Sequence, residues 1–289
     1  MEVKKPLFIV GTGRCGSTIF HHMLSRHPHL AWLSPFLKRY PNRPKLNRTA
    51  MRLINIPLLS RYMRKIIYPG EWYTFWDYHC PGFSEPCRDL DKEDVTPKIE
   101  TSVRKIMGDM LTPKRFRLLV KITGWPRIRF LKEIFPDAKF IRISRDGRAV
   151  AASLLNVPWW SGWRGPDNWR WGRLKPPLRD KWERYGQSFV VLAGIEWEIL
   201  MGAYEKAKQG IDASDLLDIR YEDLCQDPLK VFQKVVEFSN LEWPKRFEAV
   251  VKKFPLNSTN DKWKKYLSSE QQRILGESLK DNLEKYGYR

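Results

Sequence analysis

Between Val3 and Gly70 the chain has no Asp or Glu. That absence removes from the amino-terminal quarter the carboxylate that a dinucleotide fold sets on the ribose about 20 residues after its glycine turn. Cysteine is scarce: Cys15, Cys80, Cys87 and Cys225 form no C-x-x-C pair and have no histidine at zinc spacing. We expect reduced thiols in a cytoplasmic protein, with a Cys80–Cys87 loop disulfide as the alternative if the protein is exported, and no metal site. No apolar run approaches the about 18 residues of a membrane span. Met1-Glu2-Val3-Lys4-Lys5 leads straight into the first apolar run, so a signal peptide is not expected either. Internal repeats and low-complexity tracts are absent.

What the chain has in excess is positive charge. The net charge of +19 over 289 residues suits nucleic acid, a membrane surface, an anionic cofactor or an acidic substrate, and charge alone does not choose among them. The length fits one domain, residues 1–289.

Leu7 to Val10 read as a buried strand, Gly11, Gly13 and Gly16 as a turn, and Ser17 or Thr18 as the cap of a helix running to about His27. Such a turn offers unpaired N–H groups and the positive end of a helix to an anion, most often a phosphate. Gly11, Gly13 and Gly16 satisfy G-x-G-x-x-G, but the ribose acid is missing. Gly11 and Gly16 also fit G-x-x-x-x-G-K-[ST], yet Ser17 stands at the lysine position and the loop's cation is Arg14. A magnesium-dependent nucleotide hydrolase needs that lysine.

Further strands are expected over 116–122, 139–143 and 216–220. Helices are expected over 46–54, 57–66, 97–111, 126–135, 147–156, 180–208, 228–238, 244–254 and 269–286. Alternating strands and helices predict an α/β fold, a P-loop-type central parallel sheet flanked by helices. Its ligand should lie beyond the carboxyl ends of the strands. Helical and loop segments at about 31–95 and 157–180 should cap the site. They include two irregular aromatic stretches, Glu71 to Phe83 and the five-tryptophan stretch Trp159 to Trp171.

The third long strand ends in Ser144-Arg145-Asp146-Gly147, and Ser153 follows about two helical turns into the next helix. A bulky anion reaching along that helix flank would touch both Arg145 and Ser153.

The glycine loop with Arg14, the Arg145/Ser153 junction, Tyr221-Glu222-Asp223-Leu224 before Asp227-Pro228, and Asn260-Asp261-Lys262-Trp263-Lys264 before a final helix together resemble the sulfotransferases that use 3′-phosphoadenosine 5′-phosphosulfate (PAPS). The ordered set covers the chain from residue 6 to about 288. The resemblance implies transfer of a sulfuryl group to a hydroxyl of an acceptor, with no metal. It places Arg14, Cys15, Gly16, Ser17 and Thr18 on the 5′-phosphosulfate, Arg145 and Ser153 on the 3′-phosphate, Tyr221 near the adenine and Trp263 in the carboxyl-terminal cofactor segment. Lys121 falls where the family sets a lysine beside the transferred group.

Three positions depart from the cytosolic phenol enzymes. Thr123 replaces the histidine base, Ile19 replaces the tryptophan under the adenine, and Leu256-Asn257-Ser258 replaces an Arg-Lys-Gly run. The chain is therefore more similar to the bacterial, carbohydrate and tyrosyl-protein branches, in which a carboxylate is often the base. Glu71, Asp77, His79, His22 and Glu85 are the base candidates. Glu71 is favoured as the first carboxylate after the basic segment, and one of His21 and His22 is expected in the core. Trp72, Trp76, Trp159, Trp160, Trp163, Trp169 and Trp171 offer stacking walls for a sugar-like, lipid or other amphipathic alcohol, and the basic charge would attract an acidic one. The competing readings are a P-loop kinase or NTPase, which needs magnesium, and a nucleic-acid-binding protein, for which no recognisable module appears.

Overall fold

The computed structural model describes residues 1–85, 87–254 and 256–288, with the backbone alone at residues 58 and 61. Its centre is a parallel sheet of five strands. β1 (Leu7–Gly11) leads into α1 (Ser17–Leu24), followed by β2 (Leu30–Trp32) and three short helices, α2 (Pro35–Arg39), α3 (Pro44–Leu53) and α4 (Pro57–Ile66). Each of those three starts on a proline, whose fixed φ and missing N–H suit a first helical position. Next come α5 (Tyr73–His79) and α6 (Pro97–Met110), the latter capped by the Thr96 hydroxyl accepting from the Ile99 N–H. β3 (Arg117–Thr123), α7 (Ile128–Ile134), β4 (Lys139–Ser144) and α8 (Gly147–Leu155) complete the sheet's middle. After α9 (Leu178–Arg184) and α10 (Phe189–Ala207), β5 (Leu216–Arg220) runs into α11 (Tyr221–Gln226). The chain ends in α12 (Pro228–Phe238), α13 (Lys245–Lys253), α14 (Lys262–Tyr266) and α15 (Ser269–Lys285).

The strand order is β2-β3-β1-β4-β5, every pair parallel. β1 reads as an unbroken apolar run because both of its faces are covered. Leu7 and Ile9 join Phe20 and Phe232 on one side, and Phe8 and Val10 join Trp32 and Phe140 on the other. The chain fills the β3 side of β1 first and then crosses to β4. The carboxyl end of β1 is thus the point where successive loops diverge, and there open α/β sheets bind their ligands.

The short helices α2, α11 and α14 have no counterpart among the expected helices, and four further departures bear on the fold. β2, expected in the cap, belongs to the sheet; three residues are too few to show a period, and pairing with β3 creates the strand. The stretch Glu71 to Phe83 contains α5 rather than a loop. Phe75, Trp76 and His79 face inward while Tyr78 stays exposed, so aromatics on both faces hide the helical period. The helix expected over 180–208 is two, broken where Gly186 and Gln187 take positive φ of 65° and 58°. α1 stops at Leu24 rather than near His27, because Pro28 disfavours helical geometry at His27.

Candidate active site

Two cavities flank the turn between β1 and α1. On the β4 side, a cleft of about 530 Å³ is lined by Arg14, Gly16, Ser17, Thr18, Arg145, Ser153, Tyr221 and Trp263, with Ile19, His22, Thr259 and Lys262 among its other walls. Each of those first eight was picked out from the sequence. Cys15 is not in the cleft; its side chain is fully buried against Gly11, so only its backbone is placed to meet a ligand.

The turn explains the cleft's polarity. Gly16 caps α1 with φ 89°, and the first-turn N–H groups of Ser17, Thr18 and Ile19 have no acceptor within the helix. Arg14, also at positive φ (52°), turns its guanidinium across the cleft, where Nε donates to Ser153 Oγ at 2.9 Å. Arg145 is fixed by a network: Nε donates to Asn260 Oδ1 at 2.8 Å, one terminal nitrogen to the Arg14 carbonyl at 3.0 Å, and the other to both oxygens of Thr259. Asn260 is held in turn by Glu222 at 2.6 Å, and the Arg145 guanidinium lies over the Tyr221 ring at 4.4 Å. Among the described residues neither Arg14 nor Arg145 has a carboxylate partner. Burial and then the Arg145 charge pull the Arg14 pKa down. Two such arginines in one pocket mark a place that an anion would stabilise.

On the β3 side, a cavity of about 230 Å³ is lined by Thr12, Gly13, Glu71, Tyr73, Thr123, Leu154, Trp159, Trp160, Arg170, Trp171 and Glu196. A polar chain joins the two cavities. The Lys121 ammonium donates to Thr18 Oγ1 at 2.8 Å and lies 3.2 Å from Glu71 Oε1, which also accepts from the Thr123 hydroxyl at 2.7 Å. The register that pairs Gly11 with Thr123 sets Lys121 beside the turn.

The other base candidates lie elsewhere or lack the geometry. Asp77 accepts from the Ser84 N–H and hydroxyl, and His79 is held between the Pro41 carbonyl and Ser102. Glu85 approaches Gly82 and lines neither cavity. His22 is in the cleft, its pKa lowered by burial and by Lys121. His21 is the core histidine, buried with neither ring nitrogen bonded and its pKa well below the ordinary value. Of the seven tryptophans, only Trp159, Trp160 and Trp171 reach the second cavity; Trp72 donates to the Leu33 carbonyl, Trp76 stacks on Phe83 in the core and Trp169 donates to the Gly172 carbonyl. All four cysteines are free.

Sequence reasoning passed over Thr259, Tyr73, Arg170 and Glu196. Glu196 did carry a signal, as a single carboxylate inside the apolar run Phe189 to Trp197. It is 2% exposed, accepts from the Trp160 indole N–H at 2.7 Å, and burial pushes its carboxyl up to about 7.

A parallel sheet whose central strand opens into a glycine turn, with a second arginine-bearing loop across the switch point, defines an α/β protein of the phosphate-loop type. The chain belongs to the sulfotransferase family, whose profile matches residues 6–245. It is 23% identical over 318 aligned residues to the omega-hydroxy-beta-dihydromenaquinone-9 sulfotransferase Stf3 of Mycobacterium bovis, an alignment covering 98% of this chain and 75% of that protein. The Stf3 sequence of Mycobacterium tuberculosis gives the same figures. Among solved structures, the sulfotransferase STF9 of Mycobacterium avium superposes with a TM-score of 0.61 at 17% identity, covering 100% of this chain and 78% of that one. The sulfotransferase domain of the curacin biosynthetic pathway does so with 0.55 at 15% identity, covering 100% and 99%. These likenesses extend the family's fold to the whole described chain.

Proposed function

We propose that the protein transfers a sulfuryl group from PAPS to the hydroxyl of an amphipathic alcohol. The observation that carries the reading is the pair Arg14 and Arg145. Both lack a carboxylate partner among the described residues, both line one cleft with the α1 amino terminus, and Lys121 and Glu71 link that cleft to an aromatic-walled cavity.

The residues present fit a nucleotide with phosphates at two ends. Ser17, Thr18 and the first-turn N–H groups of α1 would hold the 5′ end. Arg145 and Ser153 would hold the 3′-phosphate, with Tyr221 and Trp263 around the base. Arg14 bonds Ser153, so its charge serves both ends of the cleft. When bound, the cofactor supplies the group to be transferred.

The chain's own residues do the rest. Glu71 would take the proton of the acceptor hydroxyl. Lys121, between Thr18 and Glu71, would offset the negative charge left on the nucleotide's phosphate. Thr123, a poor base itself, orients the Glu71 carboxylate. Trp159, Trp160 and Trp171 exclude water and stack on the acceptor's flat or apolar body. A lipid alcohol is the acceptor class we favour, since the cavity is aromatic and the relative Stf3 is named for a hydroxylated menaquinone.

The test is a thermal shift with 3′-phosphoadenosine 5′-phosphate (PAP) against ATP–Mg and NADP. Selective stabilisation by PAP is expected, on the order of 2.7 kcal/mol at a hundredfold excess over Kd. Equal or greater stabilisation by ATP–Mg would overturn the cofactor assignment.

A further inference from the structure

The segment from 35 to 68 contains nine Lys and Arg residues and no acid. Its third helix, α4, is built unlike a helix that belongs to a core. Met63 packs against the main core, but Ile56 at the amino-terminal cap and Leu59, Tyr62 and Ile66 along the helix are 42%, 44%, 63% and 48% exposed. At about 100° per residue Leu59, Tyr62 and Ile66 fall within roughly one sixth of the helix circumference, and Ile56 precedes them at the cap in extended backbone. Single exposed apolar residues need no explanation, whereas a periodic outward stripe does.

Beside the carboxyl end of α4 lies a cavity of about 250 Å³ lined by His22, Arg26, Arg64, Lys65, Tyr68 and Pro69, together with Ser25 and Ile67. No carboxylate lines it. Among the described residues Arg26, Arg64 and Lys65 have no ion-pair partner. The Arg64 guanidinium is laid over the Trp32 ring at 5.4 Å, and burial followed by the Arg26 charge lowers its pKa to about 10. Three cations held together in a recess without a counter-charge complement an anion. His22 borders both this recess and the nucleotide cleft, so the surface adjoins the reaction centre.

We propose that α4 and this recess dock the protein on an anionic phospholipid bilayer, with the Ile56/Leu59/Tyr62/Ile66 stripe entering the headgroup–acyl boundary and a headgroup phosphate seated among Arg26, Arg64 and Lys65. An apolar stripe with a basic flank and no acid is what an interfacial helix requires. Juxtaposed Lys and Arg strengthen binding to negatively charged lipid. Charge complementarity selects the occupant, since a second copy of this chain would bring like charge to the same face. The inference does not depend on the sulfuryl donor or the acceptor.

Co-sedimentation of the full chain with vesicles tests it, comparing phosphatidylcholine alone with phosphatidylcholine containing phosphatidylglycerol. The wild type is expected to bind the anionic vesicles and not the neutral ones. Leu59→Ser/Tyr62→Ser, at exposed positions, should weaken binding about tenfold or more, because two apolar side chains leave the interface. Lys65→Gln should weaken it several-fold, and Lys230→Gln, which removes the same charge on α12, should not. No binding to anionic vesicles overturns the proposal. So does equal binding by Leu59→Ser/Tyr62→Ser, which assigns the attraction to net charge alone. Self-association in sedimentation velocity, relieved by the same double substitution, transfers the stripe to a second copy and also overturns it.

Discussion

Thr18, Lys121, Glu71 and Thr123 come from a helix, a strand interior, a loop and a strand end, yet their hydrogen bonds and one ion pair run continuously from the arginine-lined cleft to the aromatic cavity. Removing the carboxylate's proton affinity while keeping its shape isolates its role. Glu71→Gln should lower kcat by about 10²–10⁴-fold, the usual worth of general-base help. The stabilisation by PAP should persist, and unchanged kcat in a sulfuryl-transfer assay would remove Glu71 from the mechanism. Glu196 invites a different measurement. Its folded pKa of about 7 lies above the ordinary carboxyl value, so across the window from about pH 4.5 to 7 the folded state holds a proton that the unfolded state releases. Stability is therefore favoured at the acid end of that window and falls as pH rises through it. Glu196→Gln keeps an acceptor for the Trp160 indole without titrating. The difference in Tm between this variant and the wild type should grow in the variant's favour from pH 5 to pH 8. A difference that stays constant with pH would show that Glu196 does not titrate in this range.

At the scale of elements, two glycines couple the helices to the cleft. Gly16 has φ 89°, and a Cβ there would lie 2.3 Å from the Tyr221 ring. Gly16→Ala should thus strain the α1 cap and push Tyr221 from the cleft, costing PAP affinity well beyond its effect on stability. Isothermal titration beside a thermal melt separates the two. Gly147 opens α8 against α10, and a Cβ would meet the Trp197 ring at 2.7 Å. Overpacking at such a contact costs about 1–3 kcal/mol, so Gly147→Ala should lower Tm. As Arg145 lies two residues away on the same loop, it should weaken PAP binding too. Full PAP affinity in a destabilised Gly147→Ala would show that α8 can shift without moving Arg145. The break between α9 and α10 at Gly186 and Gln187 sets Trp182, whose indole donates to the Ser188 carbonyl, against Trp169 and Leu174.

For the whole molecule, a net charge of +19 means that an anionic nucleotide would approach a positive surface. The association rate for PAP should fall several-fold between low salt and 0.3 M salt while the dissociation rate changes little, since long-range steering is screened over about 10 Å at 0.1 M. Stopped-flow intrinsic tryptophan fluorescence can follow both rates. A salt-independent association rate would confine the relevant charge to Arg14 and Arg145.

How much of this was legible without coordinates follows from where the information resides. The apolar run Leu7 to Val10, the glycines and the alternation of strands and helices are local patterns, and they determined a parallel α/β fold whose first strand opens into a glycine turn. Arg14 and Arg145 were legible because each sits at a junction between elements, where the backbone dictates its neighbourhood, whereas Ser153, inside α8, and Tyr221 and Trp263 were picked out with the family resemblance. Other residues in mid-element were not legible. The meeting of Glu71 with Lys121, the burial of Glu196 against Trp160 and the three-residue β2 depend on register and on contacts between segments far apart in sequence. Local periodicity cannot encode such contacts. The sequence by itself thus determined a basic α/β chain with an arginine in the loop after β1 and another after β4. Only tertiary structure decided which carboxylate faces Lys121, which tryptophans wall the second cavity and which apolar residues of α4 stay outside the core, because packing alone chooses the face each side chain presents.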